Sequence, residues 1–248
     1  MATLSLGSDP DAERDKVSES DLLARIAAHG HWLASERQDG TRFEMPGANF
    51  IYGRFFEADM RHACLAGACL KNANLRESNF AAADLRDANL EGASMVNIDL
   101  ADAQLNKANL YRVVSPGANF TDASLREVRL RTANLLSAVF LRSDLRQADL
   151  SDTNLAGAIM GDCILDGADL SDAKLMMADL SGSSLKGVNL SRAVLFGATL
   201  AGTDLSDADL SSALGLSTTQ LELALGNAAT RLPAEFTGLV LLPATQQS

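Results

Sequence analysis

From Ala48 to Ala213 a large apolar residue returns at every fifth position, and a small residue sits two places before it. Phe50, Phe55, Met60, Leu65, Leu70 and Leu75 open a series that runs through 33 positions to Leu210, with Ser115 as its one polar member. The position two earlier is Ala at 22 of those 33 places and otherwise Gly, Ser, Thr, Cys, Val or Ile, so no insertion shifts the frame. A straight α-helix would advance each leucine by about 140° and scatter them round the cylinder. A straight strand alternates sides with period two, so an odd period would throw successive leucines onto opposite faces. What fits is a short extended piece whose small and large residues both point inward around one outward residue, followed by a two-residue corner.

Repeated bends of one hand make a coil, and its N–H and C=O groups can be satisfied only by the coils above and below. The chain is therefore expected to be a parallel β-solenoid. Its triplets, such as Ala73-Asn74-Leu75, Ala83-Asp84-Leu85 and Ala118-Asn119-Phe120, resemble those of pentapeptide-repeat proteins over about two thirds of the chain. That resemblance implies an all-β, right-handed quadrilateral parallel β-helix with four pentapeptides per coil. The 33 repeats would then give about eight coils and, at ~4.8 Å per coil, a rod roughly 40 Å long.

The flanks read differently. Residues 1–19 are polar, charged and aperiodic, the signature of a disordered tail. In 20–44, Leu22, Leu23, Ile26, Ala27, Trp32 and Leu33 recur at helical spacing, with Ser18 and Ser20 as N-cap candidates, so a capping helix and lead-in are expected. Asp39-Gly40 turns the chain, and Phe43 and Met45 start an imperfect first repeat. The repeats occupy 45–213, where Ser115-Pro116 is the one defect and predicts a bent or loosened coil, with a functional loop as the alternative. In 214–248, Ser217-Thr218-Thr219-Gln220 resembles a capping box, Gly226 marks the end of a short helix, and Pro233 and Pro243 keep the tail extended. Gln246 to Ser248 are expected to fray.

Chemistry is sparse. There is no nucleotide-binding glycine loop, Cys-x-x-Cys pair or Gly-x-Ser-x-Gly, and His29, His31 and His62 lie before or at the start of the rod. Histidines at i and i+2 do not share a helix face, so His29, His31 and Trp32 are read as cap packing rather than as metal ligands. Cys163 takes a small inward position, while Cys64 and Cys69 point outward on adjacent faces and are read as reduced thiols rather than a metal pair. The reading names no catalytic, cofactor or metal site and expects no enzyme. With neither an 18-residue apolar run nor a basic-then-apolar N-terminus, it expects no membrane segment or signal peptide and a cytoplasmic protein.

Surface columns carry more, because fourfold closure stacks residues that differ by twenty. One corner column reads Phe56, Arg76, Val96, Pro116, Leu136, Ala156, Met176, Phe196 and is apolar from Leu136 onward. Beside it lie Val139, Ile159, Val194 and Met177, where this repeat usually carries Asn, Asp or Ser. Together these seven large residues, Leu136 to Phe196, predict an exposed apolar stripe that is either a partner surface or the bed of the C-terminal tail. Charge is polarised along the rod: 48–147 hold eleven acids and twelve bases, whereas 148–213 hold ten Asp against Lys174, Lys186 and Arg192. Asp149, Asp169 and Asp209 share one outward column, flanked by Asp152 and Asp172.

Two functions follow. In the first, the protein is a non-catalytic scaffold whose stripe binds a protein partner and a second copy of itself. In the second, it resembles the family members that protect DNA gyrase or topoisomerase IV, type II topoisomerases, by imitating duplex DNA with an acidic rod. B-DNA carries one charge per ~1.7 Å, but a carboxylate column here offers at most one per ~4.8 Å, which favours the first. The net charge of −11 argues against direct nucleic-acid binding.

Overall fold

The structure, a computed structural model, describes residues 4–5 and 19–243. The expectations of a disordered tail, a Ser18 cap and a frayed C-terminus fall mostly on 1–3, 6–18 and 244–248, outside the described residues. The chain is a right-handed quadrilateral parallel β-helix with α-helical caps at both ends. Residue n bridges residue n+20 in parallel, from Glu44 with Cys64 up to Val194 with Leu214, which fixes four pentapeptides per coil. We number the faces by their inward columns: face 1 starts at Phe50, face 2 at Phe55, face 3 at Met60 and face 4 at Leu65.

Backbone bonding explains why the unit is five residues long. Within 74–78, the N–H groups of Asn74, Leu75, Glu77 and Ser78 all donate to backbone carbonyls, one to the coil below, two to the coil above and one across the corner. The first corner residue is left out of this ladder. Each of the 18 Asn or Asp residues at the outward position accepts that orphan N–H through its Oδ1, at 2.9–3.4 Å. Short polar side chains do this because they reach their own backbone two residues on. The second corner residue closes the bend: all 33, from Gly47 to Asp207, have φ between +53° and +69°, although 23 of them are not glycine.

The same logic corrects the expectation at Ser115-Pro116. Proline stands at the first corner position, where no ladder bond needs an N–H, and its outward partner is Val114 rather than Asn or Asp. The coil runs on undistorted: Val114 bridges Ser94 and Asn134, and buried Ser115 donates its hydroxyl to the Met95 carbonyl at 3.3 Å. Inside, leucines and alanines are buried along the whole length. Ser143, Cys163, Ser183 and Thr203 stack in one buried column; Cys163, Ser183 and Thr203 donate to the carbonyls of Phe140, Met160 and Leu180. Burial pushes the Cys163 thiol up to about 11, so it stays protonated.

The ends are closed by side chains. Helix α1 (Glu19–Ala34) contains Ser20 rather than being capped by it. Leu22 is buried, and strand β1 (Leu4–Ser5) pairs antiparallel with β2 (Arg54–Phe55). Buried His29 accepts from the Phe43 N–H through Nδ1 at 3.0 Å and stacks on Trp32, while its Nε2 has no hydrogen-bond partner among the described residues. At the far end, Ser217 caps α2 (Thr218–Glu222), and Gln220 Nε2 donates to the open carbonyls of Leu195 and Ala198. Gly226 is not the helix stop: α2 ends at Glu222 with Leu223 as its C-cap, and Gly226 lies in β3 (Leu225–Gly226), which pairs in parallel with β4 (Leu242–Pro243). The tail thus adds a partial coil, with Arg231 stacked on Asp209.

Two outcomes follow from these contacts. Ala148 is buried beside stacked leucines, so Ala148→Leu should overpack the tube and cost roughly 1–3 kcal/mol. Asp149→Asn keeps the Oδ1 that accepts from Ser151 and should cost under about 0.5 kcal/mol; equal denaturation midpoints would overturn the register. At the N-terminal cap, burial lowers the His29 pKa, opposed by Asp59 and the Arg61 backbone. Above about pH 6.5 neither folded nor unfolded His29 holds a proton; below it the unfolded chain takes up one that the folded site resists. Stability should therefore fall as pH drops from about 6.5, read by the fluorescence of Trp32, the single tryptophan, in urea titrations. Burial, then Arg37, also lowers the His62 pKa, which adds a dependence of the same sign, so His29→Gln should reduce the slope without abolishing it.

Candidate partner-binding surface

The structure places all seven residues of the apolar stripe on the corner between faces 2 and 3 or on those two faces. Leu136, Ile159, Met176, Met177 and Phe196 are exposed, Met177 to 72% and Phe196 to 59%, while Val139 and Val194 are half-buried. Glycines on the next coil seat two of them. A Cβ at Gly215 would stand 2.5 Å from Phe196 Cγ, and one at Gly197 would stand 2.5 Å from Met177 Sδ, so each side chain lies over bare backbone. Val114 and Leu214, both exposed on face 2, extend the surface at either end. Column arithmetic marks them, since they stand 20 residues from Asn134 and Val194.

The described tail is anchored away from this edge at two points. Arg231 stacks on face 1 and Leu242 pairs with Leu225 above face 4, on the opposite side of the rod. Nor does the edge keep its corner caps. Where Val139, Ile159 and Val194 replace Asn or Asp, the N–H groups of Leu141, Gly161 and Phe196 have no partner among the described residues. Each lost bond forgoes about 0.5–1.5 kcal/mol, net of exchange with water.

The acidic column is less anionic than its composition suggests. Asp149, Asp169, Asn189 and Asp209 do stack on face 1, with Asp152 and Asp172 on the corner toward face 2. Asp172 is paired with Arg192 at 2.5 Å, Asp209 with Arg231 at 2.9 Å and Asp152 with Arg131 at 3.7 Å. Hydrogen bonds from Arg192 and Ser211 respectively hold the Asp172 and Asp209 carboxyls below the usual range. Asp149 and Asp169 remain as adjacent carboxylates without a cationic partner among the described residues. The corner between faces 4 and 1 stacks Arg86, Asn106, Arg126, Arg146, Asp166 and Lys186, and its bases are paired too: Arg86 with Asp84, and Lys186 with Asp204. Burial alone would raise Asp144, but hydrogen bonds from Arg146 and Arg126 outweigh it and hold it at about 2.

Two open hollows accompany these surfaces. One of about 460 Å³ on face 1 mixes Asp87, Lys107, Glu127 and Arg129; another of about 530 Å³ at the C-terminal end is lined by Gly226, Leu232, Leu239 and Leu241. Among the described residues no group of three or more His, Cys, Asp or Glu is placed to hold a metal ion. No helix among them is long and apolar enough to cross a membrane.

A family model described as pentapeptide repeats, in 8 copies, matches residues 47–76, 78–114, 117–152, 148–186 and 173–211. Among solved structures, HetL, a pentapeptide repeat protein involved in heterocyst differentiation regulation from Nostoc sp. strain PCC 7120, is 28% identical. It covers 88% of this chain and 92% of its own, with a TM-score of 0.42. QnrB1, a plasmid-mediated fluoroquinolone resistance protein, is 16% identical over 75% of this chain and 91% of its own, with a TM-score of 0.49. A pentapeptide repeat protein from the Arabidopsis thaliana thylakoid lumen is 26% identical over 45% and 77%, with a TM-score of 0.37. No curated protein matches the chain. The three structures superpose loosely, so the relationship stands on the repeat match.

Proposed function

Given that the chain belongs to the pentapeptide-repeat family, we propose that it is a non-catalytic, cytoplasmic binding protein whose working surface is the apolar edge between faces 2 and 3. One observation carries this reading: a row of large exposed apolar side chains along one edge, away from the anchored points of the described tail, built at the expense of corner hydrogen bonds. Monomers seldom leave such a surface bare. The edge is neutral and apolar, which suits a protein rather than a nucleic acid or a small charged ligand.

Imitation of duplex DNA toward a type II topoisomerase is the competing reading. It has less support, because three of the five candidate carboxylates are tied to arginines and the free pair, Asp149 and Asp169, spans a single coil step.

An immobilised protein separates the two. Leu136→Asp with Met176→Asp should remove most of what wild type captures from an extract of the native host, with the melting temperature retained, since both side chains point outward. Reversal of Asp149, Asp169 and Asp209 to Lys should change the captured set little. Undiminished capture by the edge variant would sink this reading. Inhibition or protection of gyrase supercoiling by wild type, weakened by salt and lost in the triple reversal, would establish the mimic instead.

A further inference from the structure

From Val114 to Leu216 the edge carries just two charged side chains, Lys174 on face 2 and Asp179 on face 3. They belong to the same coil and flank the same corner, that of Met176 and Met177. Neither forms an ion pair among the described residues; Asp179 accepts from Ser181, and Lys174 is exposed. Their neighbours on the edge are apolar or uncharged, Asn119, Asn134, Ser137, Asn154 and Thr199 included, and a charge with no partner there is costly to cover unless an opposite charge arrives with the covering molecule.

We infer that the occupant of this edge is a second copy of the chain, docked side by side and parallel about a two-fold axis along the rods. The inference rests on the edge being the working surface. A two-fold parallel to the rods sets face 2 of one copy beside face 3 of the other at equal coil height. Each Lys174 then stands on the side of the partner's Asp179, twice by symmetry, while Leu136, Met176 and Phe196 each meet their own symmetry mate across the axis. The interface is isologous and closes at two copies. An antiparallel two-fold centred on Ala156 would instead set face 2 against face 2, bringing Lys174 to the level of Asn134 and Asp179 to that of Val139, with both charges unmatched. Size sets the strength: five coil steps of ~4.8 Å give an edge about 24 Å long. Such a narrow strip covers well under the roughly 800 Å² per partner of a standard interface, so the dimer is a transient one, populated at tens of micromolar.

Sedimentation of the full-length chain from about 5 to 300 μM should show a reversible monomer–dimer equilibrium. Lys174→Asp or Asp179→Lys alone should weaken it about ten-fold, and the two together should restore it. Because Asp179 also caps Ser181, thermal melts check that each variant is folded, and cross-linking gives a readout independent of charge. With Cys64 and Cys69 replaced by Ser, Ser137→Cys should oxidise to a symmetric disulfide dimer. Cross-linking that needs a mixture of Ser137→Cys and Met177→Cys chains would show an antiparallel pair and overturn the inference. So would a monomer at all concentrations, or self-association that appears only after residues 244–248 are removed, which would make the chain's own terminus the occupant. A monomeric wild type whose capture of other proteins still depends on Leu136 and Met176 would discard the dimer and leave the proposed function standing; loss of both would discard both.

Discussion

One backbone N–H per repeat has no place in the ladder, and much of this molecule follows from that fact. Four of five amides are satisfied by neighbouring coils or across the corner, and the fifth, at the first corner position, is left to a side chain or to solvent. Asn or Asp one place before the inward leucine supplies it at 18 corners, in a geometry that fixes the entry to the bend. The second corner residue then sits in the left-handed region, a conformation that costs a non-glycine residue about 1–2 kcal/mol. That 23 such residues adopt it shows how strongly the stacked coils over-determine the path. Proline at position 116 makes the point from the other side, since the residue without an N–H occupies the place where none is required.

A surface built this way is polar by default, because the outward position does a backbone job best done by Asn or Asp. Departures are therefore informative. Val139, Ile159 and Val194 give up the cap on the two faces that border one corner, Val114 precedes a proline with no N–H to cap, and that corner carries Leu136, Met176, Met177 and Phe196. Ile164, on face 4, is an isolated case with no apolar corner beside it. Scattered hydrophobes need no explanation on a protein surface, but a row that also forgoes hydrogen bonds on both flanks does, and burial against another molecule offsets the loss.

The period of five was legible in the sequence because it conflicts with both helical and strand periodicity, and the columns became legible once four units per coil were supplied by family resemblance. The apolar corner was visible as residues 20 apart. Three features were not. The role of Asn and Asp as corner caps depends on which amide the ladder omits, which composition does not reveal, so Ser115-Pro116 read as a defect. Gly226 read as a helix stop because glycine commonly ends helices; its actual constraint is a Leu241 side chain 2.6 Å from where a Cβ would stand. The pairing of Asp152, Asp172 and Asp209 in and beside the acidic column came from Arg131, Arg192 and Arg231, none of them in that column in the sequence pattern.

Those arginines also decide what kind of rod this is. Net charge over 148–213 suggested a polyanion, yet long basic side chains from a corner, an adjoining coil and the C-terminal tail reach the carboxylates and hold several of them ionised but paired. Such surface pairs contribute little stability each, so their main effect is on the field outside the rod: the far potential still reflects the acidic total, while the near surface alternates in sign. A ligand recognising regular phosphate spacing would meet broken charge, whereas a protein reading shape would meet a straight, neutral edge with a fixed coil repeat. The feature that distinguishes one side of this tube from the other three is therefore apolar, and specificity for a partner has to come from the order of its knobs, Leu136, Met176 with Met177, and Phe196, with the gap at Ala156-Gly157 between them.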